Sequence, residues 1–135
     1  MSATGSSYTL STTTPLSFNE TVGRVREELA AAGFGVLSEI DVQATLKKKL
    51  GADREPCLIL GACNPPLAHR ALEAEPELGT LLPCNVVVYQ QDGETHIAAV
   101  DAEQMLSIVG NDELATTASE VRRRLSGVVE RAARN

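Results

Sequence analysis

The chain has no tryptophan and only four aromatic side chains, Tyr8, Phe18, Phe34 and Tyr89. Its interior must therefore be aliphatic, and stacking surfaces for bases or sugar rings are thin. Nor is there any excess of positive charge: eighteen acidic against twelve basic residues leave a formal charge of -6. Such a field repels a phosphate backbone unless a basic patch is strongly segregated. The two candidate patches, Lys47-Lys48-Lys49 and Arg122-Arg123-Arg124, are short enough to read as solvated helix faces. No apolar run approaches the ~20 residues that span a bilayer. The Ser/Thr-rich start lacks the basic and apolar regions of a signal peptide. Nucleic-acid and membrane partners are set aside, and the expected location is cytoplasmic.

Familiar catalytic and metal signatures are missing too. Cys57, Cys63 and Cys84 stand six and twenty-one residues apart, with no Cys-x-x-Cys and no histidine pair at ligand spacing. Their odd number suits reduced thiols. There is no Gly-rich phosphate loop, no Gly-x-Ser-x-Gly elbow and no His-Glu-x-x-His. The expectation is no metal, no cofactor and no assignable catalytic residue. His69 is expected to face solvent, and His96 sits in an ordinary strand position.

What is present is a compact alternation of strands and helices in 135 residues, enough for one domain, 1–135, with residues 1–6 fraying. Tyr8–Thr13 alternates as a strand that ends before Pro15. Ser17 and Glu20 have capping-box spacing, and Phe18, Val22, Val25 and Leu29 recur at helical intervals, so a helix is expected over roughly 18–32. Val36–Thr45 reads as a half-buried strand with Val36, Ile40, Val42 and Ala44 inward and Glu39 and Asp41 outward; Ser38 interrupts the inner face. A helical turn over 44–50 then stops at Gly51. From Pro56, the run Cys57–Cys63 is apolar on both faces and reads as a strand covered on both sides.

Asn64-Pro65 is N-cap grammar for a short helix ended by Pro76, and Gly79–Pro83 reads as a turn. Cys84–Gln91 and Thr95–Val100 flank Asp92-Gly93, a hairpin signal. Asp101 caps a short helix over 102–109. From Asn111-Asp112 onward, Leu114, Ala118, Val121, Leu125, Val128 or Val129, and Ala132 mark one face of a last helix. The order is β-α-β-β-β-β-α with short helical inserts. The fold class is α+β: a mainly antiparallel five-stranded sheet with two long helices packed on one face.

Three segments carry a resemblance: Val42–Gly51 with its lysine run, Leu60-Gly61-Ala62-Cys63-Asn64-Pro65-Pro66-Leu67-Ala68, and Leu81-Leu82-Pro83-Cys84-Asn85-Val86-Val87-Val88-Tyr89. They resemble the bacterial family numbered 302 among domains of unknown function, over about residues 8 to 133. The resemblance implies a fold similar to the TATA-binding-protein architecture and a homodimer, and no established reaction. It does not carry DNA binding with it.

The two Cys-Asn pairs define the candidate site. Cys63 closes one apolar strand and Cys84 opens another; if those strands are antiparallel neighbours, both thiols meet at one rim with Asn64 and Asn85. Helix dipoles just beyond Cys63 would favour a thiolate, and Asn85 could donate to an anion or a carbonyl. Lys47 is a further candidate, to bind an anion or counter Glu39 and Asp41. The plainer reading is that these cysteines are core and the asparagines caps, and Cys57 reads as core alone. Three functions stay open. One is a small homodimeric binding or accessory module holding a small anionic or thiol-reactive ligand at Cys63, Asn64, Cys84, Asn85 and Lys47. The others are a thiol-dependent enzyme or sulfur carrier using Cys63 or Cys84, and a purely structural interaction domain.

Overall fold

Hydroxyl, carboxylate and amide side chains start most of the helices. In the computed structural model, which describes residues 7–134, Ser17 Oγ accepts from the Glu20 backbone N–H at 3.1 Å and opens helix α1, Phe18–Ala31. The capping box read from Ser17 and Glu20 is closed by the Ser17 hydroxyl donating to Glu20 Oε1. Asp41 starts α2 (Val42–Leu50), Asn64 starts α3 (Pro65–Ala74) and Asp101 starts α4 (Ala102–Ser107), each through its own side-chain oxygen. Asn111 caps a single 3-10 turn, Asp112–Leu114, that leads into α5, Ala115–Ala132. The expected opening of the last helix at Asn111 is thus a 3-10 turn first. The expected fraying of residues 1–6 lies outside the described residues.

Five strands, β1 (Thr9–Thr14), β2 (Gly35–Asp41), β3 (Cys57–Cys63), β4 (Cys84–Gln91) and β5 (Glu94–Val100), form one sheet in the order β1-β5-β4-β3-β2. Every pairing is antiparallel. Asp92 and Gly93 between β4 and β5 take φ of 51° and 81°, the paired left-handed residues of a tight hairpin turn. The α+β class and the antiparallel five-stranded sheet are as the sequence predicts.

One face of this sheet carries the core. Leu10 on β1, Leu60 and Ala62 on β3, Val86 and Val88 on β4, and Ile97 and Ala99 on β5 are buried against α1 and α5. Val25 and Leu29 come from α1; Val121, Leu125, Val128, Val129 and Ala132 are the predicted stripe of α5, each buried. A smaller cluster of Ala71, Leu78, Leu106, Leu114 and Ala118 continues the interior under α3 and the 3-10 segment Pro76–Leu81.

The other face is where expectation and structure part. β3 was expected to be covered on both sides, but Ile59, in register with Val87 and, through it, Ala98, belongs to neither core cluster. β2 is shorter than the alternation suggests, because Asp41 turns the chain into α2. It also slips register between Val36 and Ser38, with Leu37 taken up by a bulge. A one-residue slip exchanges the two faces. Glu39 and Asp41 therefore stand opposite Leu60 and Leu58 on the helix side, and Glu39 is ion-paired with Arg26 of α1. Ile40, expected inward, lies on the opposite side and is 48% exposed. Ser38 faces that side as well, beside Gly61, where a Cβ would stand 2.3 Å from Ser38 Oγ and 2.7 Å from Pro83 Cγ. Only glycine allows that approach.

Candidate functional site

β3 and β4 are antiparallel neighbours, with Ala62 opposite Cys84. The end of β3 therefore lies beside the start of β4, and the chain leaves Cys63 through Asn64 directly into α3. Asn64 is buried; its Oδ1 accepts from the Leu67 backbone N–H at 3.2 Å, so the oxygen is spent on the cap. Its Nδ2 lies toward Gly33, where a Cβ would come within 3.0 Å of it and 3.1 Å of Arg124 Nη1. Gly33 also sits at φ +88°, so this crossing needs glycine twice over.

Cys63, Asn64 and Cys84 line a common cavity of about 310 Å³ between this end of the sheet, α3, the 3-10 segment, α4 and α5. Phe34, Leu67, Leu78, Met105, Leu106 and Val121 supply much of its wall. No Lys, Arg, His, Asp or Glu reaches it. At the rim stand Leu37, 69% exposed on the β2 bulge, and Leu72, 37% exposed on α3. Cys84 is buried, and that burial pushes its thiol up to about 11, the nearby Cys63 adding a smaller push in the same direction. At neutral pH it is a protonated, weakly polar group. Cys63 is half-buried.

The other two candidates lie elsewhere. Asn85 stands opposite Gly61, exposed on the far face of the sheet and outside the cavity lining. Strand alternation alone puts it there, since successive side chains point to opposite faces. Lys47 is exposed on α2 and bonded to Asp53 at 2.7 Å. It counters neither Glu39, which pairs with Arg26, nor Asp41, whose Oδ1 accepts from Ala44 N–H at 2.9 Å. Cys57, expected in the core, is half-buried on the far face; its thiol is raised by burial, opposed by Arg54 and assisted by Asp41. His69 is exposed near Glu73 on α3, and His96 stacks on Tyr89 with ring centroids 4.7 Å apart.

The arginine run on α5 is occupied by its own protein. Arg124 donates to Glu120 and, through Nη1, to Ala32 O at 2.9 Å; Arg123 also donates to Glu120, and Arg122 meets Asp101 at 3.1 Å. The Arg124 hydrogen bond, foremost, holds the Glu120 carboxyl below its usual value. These guanidiniums tie α5 to α4 and to the end of α1.

Sequence reasoning missed Thr117, Met105 and the α4 side of the cavity. Thr117 was legible in one respect: it follows Leu114 by three residues and precedes Val121 by four, on the buried stripe of α5.

Among the described residues no group of three or more His, Cys, Asp or Glu side chains is arranged to hold a metal ion, and no helix is long and apolar enough to cross a membrane. No curated protein matches the chain. A crystal structure of an uncharacterized conserved protein DUF302 from Bacillus stearothermophilus is 32% identical, with a TM-score of 0.88 over 96% of this chain and 100% of that one. The family described as domain of unknown function DUF302 matches residues 10–132, nearly the whole fold just described. With the profile and the solved relative in agreement over that length, the chain belongs to the DUF302 family.

Proposed function

We propose that the protein is a homodimeric binding module that holds a small ligand in the cavity walled by Cys63, Asn64 and Cys84. The observation that carries this reading is the cavity itself: about 310 Å³ of apolar-walled space, within the range of small-molecule sites. Other hollows of about 300, 400 and 380 Å³ are lined by charged side chains such as Glu103, Glu120, Arg123 and Arg131, whereas this one has none. The uncharged lining favours a neutral ligand over the anionic one that the sequence suggested. A thiol-enzyme role for Cys84 runs against its raised pKa, which keeps the nucleophilic form scarce at neutral pH.

Support for the homodimer comes from the far face of the sheet. Ile40, Ile59, Val87 and Ala98 lie there with Cys57 and the Tyr89–His96 stack, and no Asp, Glu, Lys or Arg interrupts them at the centre. Depletion of charge at the middle of a surface patch is the compositional mark of an interface. A two-fold axis through the patch would set it against itself. Three free thiols accord with a reducing, cytoplasmic setting.

Native mass spectrometry tests both parts. The expected result is a dimer mass carrying small-molecule adducts that vanish in Ala68→Phe, whose ring takes up about half of the cavity. A monomer at high micromolar concentration would overturn the dimer, and equal ligand uptake by Ala68→Phe would overturn the site.

A further inference from the structure

Six polar or charged residues among those described are buried: Thr14, Thr21, Asn64, Thr95, Asp101 and Thr117. Five of them make at least one side-chain hydrogen bond. Thr14 donates to Ala133 O at 2.9 Å, Thr21 to Ser17 O at 2.7 Å, and Thr95 accepts from Gln90 at 3.5 Å. Asn64 and Asp101 are helix caps, the latter also bonded to Arg122. Thr117 is the exception. It is 3% exposed, it lines the cavity, and its hydroxyl has no hydrogen-bond partner among the described residues. A threonine near a helix start can return its hydroxyl to the carbonyl one turn back, as Thr21 in the first turn of α1 does; Thr117, in the first turn of α5, does not. Among the described residues no fully buried side-chain oxygen or nitrogen is left unpaired, so the Thr117 hydroxyl is one that opens onto the cavity, where an occupant can reach it.

Water entering by the rim can take that place, and a ligand that displaces it must supply the pairing itself. The remaining polar side chains of this wall are two thiols, weak hydrogen-bonders, and Asn64, whose oxygen caps α3 and whose amide nitrogen lies toward Gly33. Resting on the small-ligand reading above, we infer that the cavity takes an uncharged, largely apolar molecule bearing one hydrogen-bonding group, and that this group pairs with the Thr117 hydroxyl. Size follows by proportion. A dry apolar cavity of about 150 Å³ holds benzene, so a space of about 310 Å³ suits roughly ten to twelve non-hydrogen atoms by the same scaling. The ligand class is a bicyclic or branched neutral alcohol, phenol or ketone. Cys84, protonated and apolar in character, packs against its carbon skeleton.

The test uses the full chain and four probes: naphthalene, the two naphthols and 1-naphthoate, with melting temperature and naphthol fluorescence as readouts. At least one naphthol binds more tightly than naphthalene. Thr117→Val, which keeps the side-chain shape, weakens that naphthol by about tenfold, the worth of one net hydrogen bond, and leaves naphthalene unchanged. Thr117→Ser restores it. Ala68→Phe removes all binding, and naphthoate does not bind. If naphthol binding is lost in Ala68→Phe but unaffected by Thr117→Val, the site stands and the Thr117 pairing is overturned. If only naphthoate binds, and Ala68→Phe removes it, the site stands and the neutral ligand class is overturned. If no probe shifts the protein, or if the shifts survive Ala68→Phe, the small-ligand reading falls along with this inference.

Discussion

Leu60 and Ile59 are neighbours on β3, of the same formula and nearly the same volume, yet they live in different environments. Leu60 is fully buried between β2, β4 and the helices. Ile59 points to the far face, half-buried and outside both core clusters. The same contrast runs along β4, where Val86 and Val88 are fully buried and Val87 between them is not. A strand's sequence reports apolarity; which side gets covered is decided by where the helices land. Apolar residues on the uncovered side are then a statement about something other than this chain's own core.

The largest expected effect lies on the covered face. Leu60→Ala should lower unfolding stability by about 3–4 kcal/mol in urea titration, the cost of lost transfer energy plus a cavity among rigid neighbours. A loss below about 1 kcal/mol would mean that the helix layer is loose. Next comes the thiol on that same face. Cys84 has a folded pKa of about 11 against an ordinary value of 9.0, so the unfolded chain ionises first as pH rises. Its contribution is complete below pH 9 and fades as pH climbs to about 11. The fade amounts to ~2–3 kcal/mol. Denaturant midpoints across this window should fall in the native protein and fall less in Cys84→Ala.

The far face should yield less, and in a way that depends on concentration. Ile59→Ala is expected to cost under about 1 kcal/mol in dilute solution, where its side chain keeps part of its water. On the proposed dimer, the cost should grow at high protein concentration as association covers the face. A cost equal to that of Leu60→Ala at every concentration would erase the distinction between the faces. Smallest of all is Arg26→Ala at the β2 edge. Its ion pair with Glu39 is roughly half exposed on both sides, so removal should shift stability by only a few tenths of a kcal/mol, less still in high salt.

Much of the framework was legible because it is written locally. Ser17, Asn64 and Asp101 announced their helices by cap chemistry, Asp92-Gly93 announced the hairpin, and the α5 stripe announced its buried side. β2 was misread because the bulge at Leu37 depends on its partner strand, and a single inserted residue reversed the assignment of Glu39, Ile40 and Asp41. At the site, the approach of Cys63 and Cys84 followed from strand ends and neighbours, both readable in outline. Asn85 was separable from sequence alone by strand parity, an inference that the attraction of two matching Cys-Asn pairs obscured. Lys47 was not separable, because its partner Asp53 lies in an irregular segment. Thr117 was hidden for a different reason: a threonine within an apolar stripe looks like tolerated polarity until its unpaired hydroxyl is seen beside a cavity.

Helix α2 has a practical consequence. None of its nine residues is buried, and Leu50 at its end is 75% exposed. The excursion from Val42 to Glu55 is therefore a handle that the hydrophobic interior does not depend on. A peptide epitope, a reporter dye or an affinity sequence grafted into it would leave both the apolar cavity and the charge-poor sheet surface untouched.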